Sequence, residues 1–332
     1  MRSWVLTSEP GSPLRLEDRP EPELGPGQVR VRMRAGSLNY RDLIVAGQPP
    51  RRGLVPLSDG AGEVTEVAPD VRDLQPGDRV AGGFFADWAS GPGRHANLAS
   101  ALGGDLDGVL SETAVFPASA VAKIPGDLTF AEAATFPCAA VTAWHALVGC
   151  QWPAGPGDTV LALGSGGVAM FALQLAVLLG ARFIGTSSSE AKRERLRALG
   201  AEVVIDYAAT PRWWQEVQQA TGGHGADFVV ETGGAATLEH SLKACARGGC
   251  VTLVGVLSGR PATADADLIQ SLELTLRSIY VGPLTMLDDV MQAFAGHRVR
   301  PVIDRSFGFG DAPAAFDHLR QARHVGKVVI EH

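Results

Sequence analysis

A glycine-rich turn between an apolar strand and an apolar helix is the feature of this sequence that most constrains its fold. The stretch "VLALGSGGVAMFALQLA" (160–176) places Gly164, Gly166 and Ala169 in the pattern G-x-G-x-x-A. Between a strand and a helix, this pattern is typical of a dinucleotide-binding turn, where small residues let the backbone approach a pyrophosphate at the helix N-terminus. The alternative is an ordinary glycine turn. The residues predicted to contact the pyrophosphate are Gly164, Ser165, Gly166, Gly167 and Val168.

The sequence around this turn repeats the same strand–helix rhythm. From about residue 125 onwards, the apolar strands "DTVLAL", "RFIGTS", "EVVIDY", "ADFVVETGG" and "CVTLVGV" alternate with helical segments. Continuous apolar strands separated by helices are typical of a parallel sheet that is covered on both faces. We therefore predict an α/β fold with a Rossmann doubly wound parallel sheet over residues 124–282.

The segments on either side have a different pattern. Up to about residue 122, short strands such as "GQVRVRMR" are broken by Gly and Pro turns, which predicts a β-rich domain over residues 1–123. Residues 86–108 are predicted to form an extended surface loop. The chain of 332 residues is too long for one ordinary core, so two domains are expected. The mixed α and β segment 283–332 is assigned to the first of them.

Charge, hydropathy and cysteine usage exclude several classes of protein. The 29 basic and 36 acidic residues give a formal charge of −7, and without a Lys/Arg run no nucleic-acid partner is expected. The first residues lack the apolar stretch of a signal peptide, and the most apolar helical run (168–179) is too short to cross a bilayer, so the protein is expected to be cytoplasmic with no membrane association. The four cysteines form no CxxC pair and no structural zinc cluster. We interpret Cys150, Cys245 and Cys250 as buried reduced thiols.

The end of the second predicted strand indicates which dinucleotide is bound. There the sequence reads "GTSSSEAK", with Thr186, Ser187 and Ser188 at the tip and Lys192 and Arg193 at the start of the next helix. An acidic residue here would hold the ribose 2′-hydroxyl of NAD, whereas hydroxyls and cations suit the 2′-phosphate of NADP. The sequence thus favours NADP(H) as the cofactor. Alternatively, Lys192 and Arg193 belong to a solvated helix face.

Seven segments, in order along the chain, resemble the medium-chain dehydrogenase/reductases. They are "NYRDL", "DGAGEVTEVAPDV", "PGDRVAG", "LSETAVFP", "EAATFPCAAVTAWHAL", "GSGGVAMFALQLA" and "GKVVI". The likeness covers nearly the whole chain. Within the family, the chain resembles the zinc-free branch, which consists of quinone oxidoreductases, enoyl reductases and zinc-type alcohol dehydrogenase-like proteins. It implies a GroES-like catalytic fold for the β-rich domain.

The resemblance also implies that no metal is bound. In the zinc alcohol dehydrogenases a Cys stands where this chain has Asn39, a His-Glu pair stands where it has Ser58 and Asp59, and a third ligand, also a Cys, matches Cys138. Only the last ligand remains, and asparagine and serine are poor ligands for zinc. Without a Lewis acid, hydrogen bonds have to polarise the substrate oxygen.

Further site residues follow from the resemblance. It implies that the loop with Asn39 and Tyr40 lines the cleft between the domains, where Tyr40 would donate a proton or a hydrogen bond to the substrate oxygen and Asn39 would orient it. In the alternative, Tyr40 packs on its domain, and Asp42 pairs with Arg41 as scaffold. The other positions that the resemblance places at the cofactor are Thr142, Lys192, Tyr207, Gly255, Val256 and Lys327.

The predicted activity is NADPH-dependent hydride transfer to a conjugated carbonyl compound, such as a quinone, an enone or an enal. The alternatives are alcohol–carbonyl interconversion on the same scaffold and a cofactor-binding redox partner with little turnover. The strand "RSIYVG" (277–282) is predicted at the edge of the sheet, where Ile279 and Val281 would allow two copies to pair as a homodimer. Otherwise the following segment covers this edge and the chain is a monomer.

Overall fold

The computed structural model describes residues 1–7, 13–47, 53–150, 152–259 and 263–332. These residues form two compact units, Met1–Val141 with Val281–His332, and Thr142–Tyr280. The first unit extends beyond residue 123, where the N-terminal domain was predicted to end, because the short helix Phe130–Ala133 packs against strands of that unit. Among the described residues, no helix is both long enough and apolar enough to span a membrane.

The N-terminal part of the first unit consists mostly of strands. Its strands are β1 (Arg2–Leu6), β2 (Leu14–Asp18), β3 (Gln28–Leu38), β4 (Asp59–Val67), β5 (Arg79–Gly82), β6 (Thr113–Pro117) and β7 (Val121–Lys123). Its helices are α1 (Tyr40–Gly47), α2 (His95–Leu98) and α3 (Phe130–Ala133), and a π-helical turn follows at Phe136–Ala140. The segment that begins at Tyr40 is therefore helical rather than a loop.

The second unit alternates helices and strands. Its helices are α4 (Val141–Leu147), α5 (Gly167–Leu179), α6 (Glu190–Ala198), α7 (Trp214–Ala220), α8 (Leu238–Ala244) and α9 (Ala266–Ser271). Its strands are β8 (Thr159–Leu163), β9 (Arg182–Thr186), β10 (Val203–Ile205), β11 (Ala226–Glu231), β12 (Cys245–Leu253) and β13 (Thr275–Ser278). They pair in parallel in the order β10-β9-β8-β11-β12-β13, which confirms the predicted doubly wound sheet.

Burial on both faces explains why these strands are continuously apolar. Every residue of β8 is buried, and α5 buries most of its surface, so neither element shows an amphipathic pattern. The core of this unit is contributed by strands and helices together. It includes Leu161, Ile184, Val229, Leu242 and Val251.

The C-terminal residues complete the sheet of the first unit. They form α10 (Leu284–Gly296), β14 (Ile303–Gly308), α11 (Ala312–Arg320) and β15 (Lys327–Glu331). The sheet runs in the order β14-β15-β3-β4-β5-β7, and β6 also pairs with β3. In β3 the residues Val29, Val31 and Met33 are buried while Arg32 points outward, as the alternating sequence predicts.

The stretch 86–108 is not simply a surface loop, contrary to the prediction. Ala101 and Leu102 are buried, and the N–H of Leu102 donates to the carbonyl of Phe84 at 3.1 Å. The N–H of Ala86 donates to the carbonyl of Ser100 in the same way, at 3.0 Å. Residues 100–103 of the excursion therefore fold back onto the core, whereas residues 89–96 and 105–107 are exposed.

The prediction of an edge strand over residues 277–282 is wrong about where the strand begins and ends. β13 does lie at one edge of the parallel sheet, but it ends at Ser278. Val281 is 5% exposed and has a left-handed φ of 55°, a conformation that ends an extended strand. Ile279 and Val281 therefore do not belong to the pairing edge, which is formed by Thr275–Ser278.

Candidate functional site

The glycine turn follows β8 at the point where the strand order of the second unit reverses. From β8 the chain continues to β9 and β10 on one side and then to β11, β12 and β13 on the other. Ligands of doubly wound sheets bind at the carboxyl ends of the strands at such a switch point. The predicted phosphate loop, Gly164–Val168, thus lies at the position in the sheet that this rule selects.

The backbone of the turn is open to an anion. Gly164 has a φ of +80°, which only glycine adopts readily, and its N–H is bonded to Thr186 of the neighbouring strand at 3.0 Å. Gly166 is the N-cap residue of α5 and provides no side-chain acceptor for the first N–H groups of that helix. Among the described residues, no atom lies within 4 Å of a Cβ built on Gly164 or Gly166. The turn therefore forms a cradle with backbone donors, which fits a pyrophosphate.

The ends of β11 and β12 are joined to this turn. The Thr232 hydroxyl donates to the carbonyl of Leu163 at 2.9 Å, and a Cβ on Gly255 would lie 1.7 Å from the carbonyl oxygen of Thr232. Gly255 is therefore needed for close backbone approach, and it brings Val256 to the same end of the sheet. The structure thus collects the predicted residues Gly164–Val168, Gly255 and Val256 at one edge.

Sequence reasoning missed Glu231, the last residue of β11. Its buried carboxylate accepts the N–H groups of Gly233 and Gly234 at 2.7 and 2.9 Å and the Thr237 hydroxyl at 2.7 Å. A second oxygen accepts the Ser241 hydroxyl. Glu231 thereby fixes the loop beside the glycine turn. A lone acid at a strand end before two glycines is the only sequence signal for this role.

Hydroxyl groups gather at the end of β9, where a 2′-phosphate is predicted. The Ser188 hydroxyl donates to the Tyr207 hydroxyl at 3.1 Å, and Ser187 is buried beside it. Arg193 is bound elsewhere, since its guanidinium pairs with Asp206 at 2.7 Å and donates to the carbonyl of Ser187 at 3.0 Å. Lys192 is half-buried in the first turn of α6. Thr142, the remaining predicted cofactor residue of this unit, is buried in α4.

A buried polar cluster lies in the first unit, and it collects the residues at the zinc-ligand positions. We call it the Lys327 cluster; its members are Asn39, Ser58, Asp59, Cys138 and Lys327. Pairing of β15 with β3 puts Val328 opposite Leu38, and pairing of β3 with β4 puts Ser37 opposite Asp59. Three adjacent strands therefore bring together side chains that are far apart in the sequence.

The ammonium group of Lys327 is the centre of this cluster. Its Nζ donates to Asn39 Oδ1 at 2.5 Å and to the carbonyl of Leu38 at 2.7 Å, and it lies 3.7 Å from Asp59 Oδ2. Lys327 is 2% exposed and Asp59 is fully buried. The Asp59 carboxylate also accepts the Ser58 hydroxyl at 2.6 Å and the N–H of Cys138 at 3.1 Å. The ammonium group of Lys327 therefore contacts the Leu38 carbonyl, Asn39 and Asp59.

Asn39 has a donor without a partner. Because its Oδ1 faces Lys327, the Nδ2 group is the free end of the amide, and it has no hydrogen-bond acceptor within the part of the chain that the structure describes. Leaving a buried donor unpaired costs about 1–3 kcal/mol. An oxygen atom of a bound molecule would remove this cost, which fits the predicted site role of Asn39.

Asp42 has a structural role, as one sequence interpretation suggested. Its carboxylate accepts the N–H of Asn39 at 2.7 Å, and Arg41 lies 3.5 Å away. Burial raises the pKa of Asp42 to about 6. Arg41 also donates to the carbonyl of Leu102 at 2.9 Å. Tyr40, by contrast, is 46% exposed at the start of α1.

The backbone before Ser58 is strained. Leu57 is fully buried and has a φ of 72°, which is unfavourable for a residue with a bulky side chain. Two glycines allow this conformation, because there is no room for a side chain at either position. A Cβ on Gly103 would lie 2.7 Å from the backbone of Leu57, and a Cβ on Gly108 would lie 2.1 Å from the carbonyl oxygen of Leu57. The excursion 86–108 therefore helps to hold Ser58 and Asp59 in the cluster.

The Lys327 cluster does not offer zinc a suitable set of ligands. Asn39 Oδ1 is bonded to Lys327, and a divalent cation bound to Asp59 would lie close to the fixed ammonium charge. Burial raises the pKa of the Cys138 thiol, whereas zinc binds the thiolate. Over the described ranges, no three His, Cys, Asp or Glu side chains come together as a possible metal site.

Comparison with known proteins agrees with this architecture. Residues 25–126 match the family model described as an alcohol dehydrogenase GroES-like domain, and residues 167–296 match the one described as a zinc-binding dehydrogenase. A zinc-type alcohol dehydrogenase-like protein of Schizosaccharomyces pombe is 38% identical over 93% of this chain and 92% of its own length. A quinone oxidoreductase-like protein 2 homolog of Nematostella vectensis is 30% identical over 98% and 88%. A solved NAD-dependent alcohol dehydrogenase is 33% identical, with a TM-score of 0.89 and full coverage of both chains.

Proposed function

This chain belongs to the medium-chain dehydrogenase/reductase family, and we propose that it reduces a conjugated carbonyl compound with NADPH and without a metal. Members of this family are oxidoreductases that bind a nicotinamide cofactor. The substrate class is a quinone, an enone or an enal. The observation that carries the proposal is the Lys327 ammonium bonded to Asn39 at 2.5 Å, which leaves Asn39 Nδ2 as an unpaired donor.

On this proposal, separate groups of this chain bind the cofactor, stabilise the substrate oxygen and deliver the proton. The N–H groups at the start of α5 hold the pyrophosphate, and a bound nicotinamide supplies the hydride. Asn39 Nδ2 donates to the substrate oxygen as negative charge develops there, and Lys327 fixes the amide so that the donor keeps its direction. The exposed hydroxyl of Tyr40 delivers the proton. Hydrogen bonds thereby take the place of a Lewis acid.

An assay with NADPH and matched panels of quinones, enones, aldehydes and alcohols tests this function. We expect oxidation of NADPH with conjugated carbonyls, and a large loss of turnover in Asn39→Leu, since leucine is similar in size but has no donor. The names of the relatives favour a second candidate, alcohol–aldehyde interconversion. Turnover of simple aldehydes and alcohols alone would decide for that candidate. Tight NADPH binding with no turnover of any compound would indicate a redox partner protein.

Purified protein is expected to contain no stoichiometric zinc and to keep its activity in the presence of a chelator. The reason is that the only carboxylate of the Lys327 cluster, Asp59, lies 3.7 Å from an ammonium group. Elemental analysis after expression in zinc-supplemented medium measures this directly. One zinc ion per chain, or activity lost to the chelator and restored by zinc, would overturn the metal-free mechanism.

We expect Lys192→Ala to weaken NADPH binding by about 1.5–3 kcal/mol and NADH binding much less, because a charge-assisted bond to the 2′-phosphate is lost. Ser187, Ser188 and Tyr207 remain in place in this variant. Arg195→Ala is the matched control, since it removes one positive charge from an exposed position of the same helix. Fluorescence titration with both cofactors gives the comparison. If Lys192→Ala weakened the binding of NADPH and of NADH equally, the proposed preference for NADPH would have no support.

We also propose a homodimer in which β13 of one copy pairs antiparallel with β13 of another. The N–H of Ile279 donates to the carbonyl of Leu253, so alternate N–H groups, including that of Ser278, point away from β12. Ser278→Pro removes an outward donor and should convert the dimer to the 34.8 kDa chain in sedimentation, whereas Ser278→Ala should not. A wild-type monomer at micromolar concentration, or a dimer that persists in Ser278→Pro, would contradict this assembly.

A further inference from the structure

Two cysteines and an arginine of the second unit form a cluster that the proposed reduction does not use. Cys150 Sγ lies 3.7 Å from Cys250 Sγ, and Arg277 Nη1 lies 3.1 Å from Cys150 Sγ. The guanidinium is held in place because it also donates to the carbonyl of Gly149 at 2.9 Å. The sequence interpretation of Cys150 as a buried thiol is wrong in this respect, since Cys150 is partly exposed.

The two sulfur atoms differ in a way that assigns their roles. Cys250 is 2% exposed and lies within β12, between β11 and β13, whereas Cys150 lies in the segment that links α4 to β8. An oxidant from solvent therefore reaches Cys150 first. A disulfide needs a sulfur–sulfur distance of about 2.05 Å, so the sulfurs would approach each other by less than about 2 Å from 3.7 Å. A linking segment can make this movement more easily than a central strand.

Electrostatics favours ionisation of the same, more exposed sulfur. The hydrogen bond with Cys250 and the Arg277 guanidinium lower the pKa of Cys150, whereas the bond with Cys150 and burial raise the pKa of Cys250. The carbonyl of Ala146 accepts from the Cys150 thiol at 2.9 Å and opposes ionisation. The Thr252 hydroxyl lies 3.8 Å from Cys250 Sγ. Arg277 makes its direct contact with Cys150.

We propose that Cys150 and Cys250 form a peroxide-reactive dithiol, in which Cys150 is the attacking cysteine, Cys250 the resolving cysteine and Arg277 the residue that positions and stabilises the thiolate. In the first step the Cys150 thiolate attacks a peroxide oxygen, so that an S–O bond forms, the O–O bond breaks and hydroxide leaves. In the second step the Cys250 thiol attacks the sulfenic acid, so that an S–S bond forms and water leaves. The cysteines are oxidised by two electrons and the peroxide is reduced. This chemistry is independent of the proposed carbonyl reduction.

The test exposes fully reduced, folded protein to hydrogen peroxide, blocks the remaining thiols and maps the peptides without reduction. We expect wild-type protein to lose two of its four thiols and to yield a Cys150–Cys250 peptide that dithiothreitol separates. Cys250→Ser should stop at a sulfenic acid on Cys150, which dimedone traps. Cys245→Ser is the matched control and should behave as wild type, because burial raises the pKa of Cys245 to about 12 and that thiol lies outside the cluster.

The role of Arg277 is tested by the rate at which iodoacetamide alkylates Cys150 over a range of pH values. Arg277→Gln should move the midpoint of this pH dependence up by about one unit, so that the reaction is about ten-fold slower at pH values below both midpoints, and Arg277→Lys should restore much of the rate. A Cys150 that stays reduced in peroxide, oxidation of Cys245 at the same rate, or conversion of Cys150 to sulfinic acid without a link to Cys250 would overturn the dithiol. An unchanged alkylation rate in Arg277→Gln would overturn the role of the arginine.

Discussion

Lys327→Met is expected to lower the free energy of unfolding by about 3–5 kcal/mol, which is the range for removing one partner of a buried ion pair. Methionine occupies a similar volume, so the loss comes from charge and hydrogen bonds rather than from a cavity. The buried Asp59 carboxylate would lose the ammonium group that lies 3.7 Å away, and Asn39 Oδ1 would lose its donor. Urea denaturation of cofactor-free protein measures this change, so the result does not depend on the proposed activity.

Lys123→Met is the matched control for this prediction. Lys123 also pairs with an aspartate, Asp78, at 2.9 Å, but its side chain is 56% exposed. Exposed pairs contribute less than about 1 kcal/mol, so the control should stay close to wild type. In Lys327→Met, the additional change Asp59→Asn should recover part of the lost stability, because it removes the unpaired charge. Equal stability of Lys327→Met and Lys123→Met would show that the buried pair contributes little.

The elements that the sequence predicted well are those fixed by local pattern. β8 is continuously apolar, α5 is apolar apart from Gln174, and the glycines between them mark a turn, so strand, turn and helix can be predicted from 160–176 alone. The parallel sheet follows from repetition of this unit. In the first unit, the alternation in β3 predicts its buried face for the same reason.

The contacts that could not be predicted from the sequence are those between segments that are far apart along the chain. Lys327 and Asn39 are 288 residues apart and meet because β15 pairs with β3. The resemblance implied a position beside the cofactor for Lys327 but did not indicate its contact with Asn39. Cys150 and Cys250 are 100 residues apart, and no CxxC spacing announces their contact. No local pattern reports either pairing.

Backbone conformation accounts for the remaining errors. "RSIYVG" alternates as a strand does, but Val281 adopts a left-handed conformation that the residue type does not suggest, and the strand ends before it. Leu57 is left-handed in a similar way, between two close glycine contacts supplied by the excursion 86–108. Such conformations are imposed by tertiary packing, so propensity and periodicity do not reveal them.

Gly166→Val is expected to weaken NADPH binding by about 100-fold or more, which corresponds to about 2.7 kcal/mol, while the fold is retained. The φ of Gly166 is −75°, which valine can adopt, and among the described residues no atom lies within 4 Å of a Cβ at this position. The valine side chain would therefore enter the space in which we place the pyrophosphate. Because glycine is a better N-cap residue than valine, a stability loss of about 1 kcal/mol is expected.

Gly155→Val separates a steric effect on the ligand from a general effect of valine. Gly155 lies in the same unit, four residues before β8, and a Cβ there also meets no atom within 4 Å in the described part of the chain. Gly155 lies outside the cradle, so the NADPH affinity of the Gly155→Val variant should match that of the wild-type protein when both variants are titrated side by side. If Gly166→Val bound NADPH as tightly as Gly155→Val, the pyrophosphate would have to lie away from the N-terminus of α5. A loss of affinity confined to Gly166→Val, with both proteins folded, would place it there.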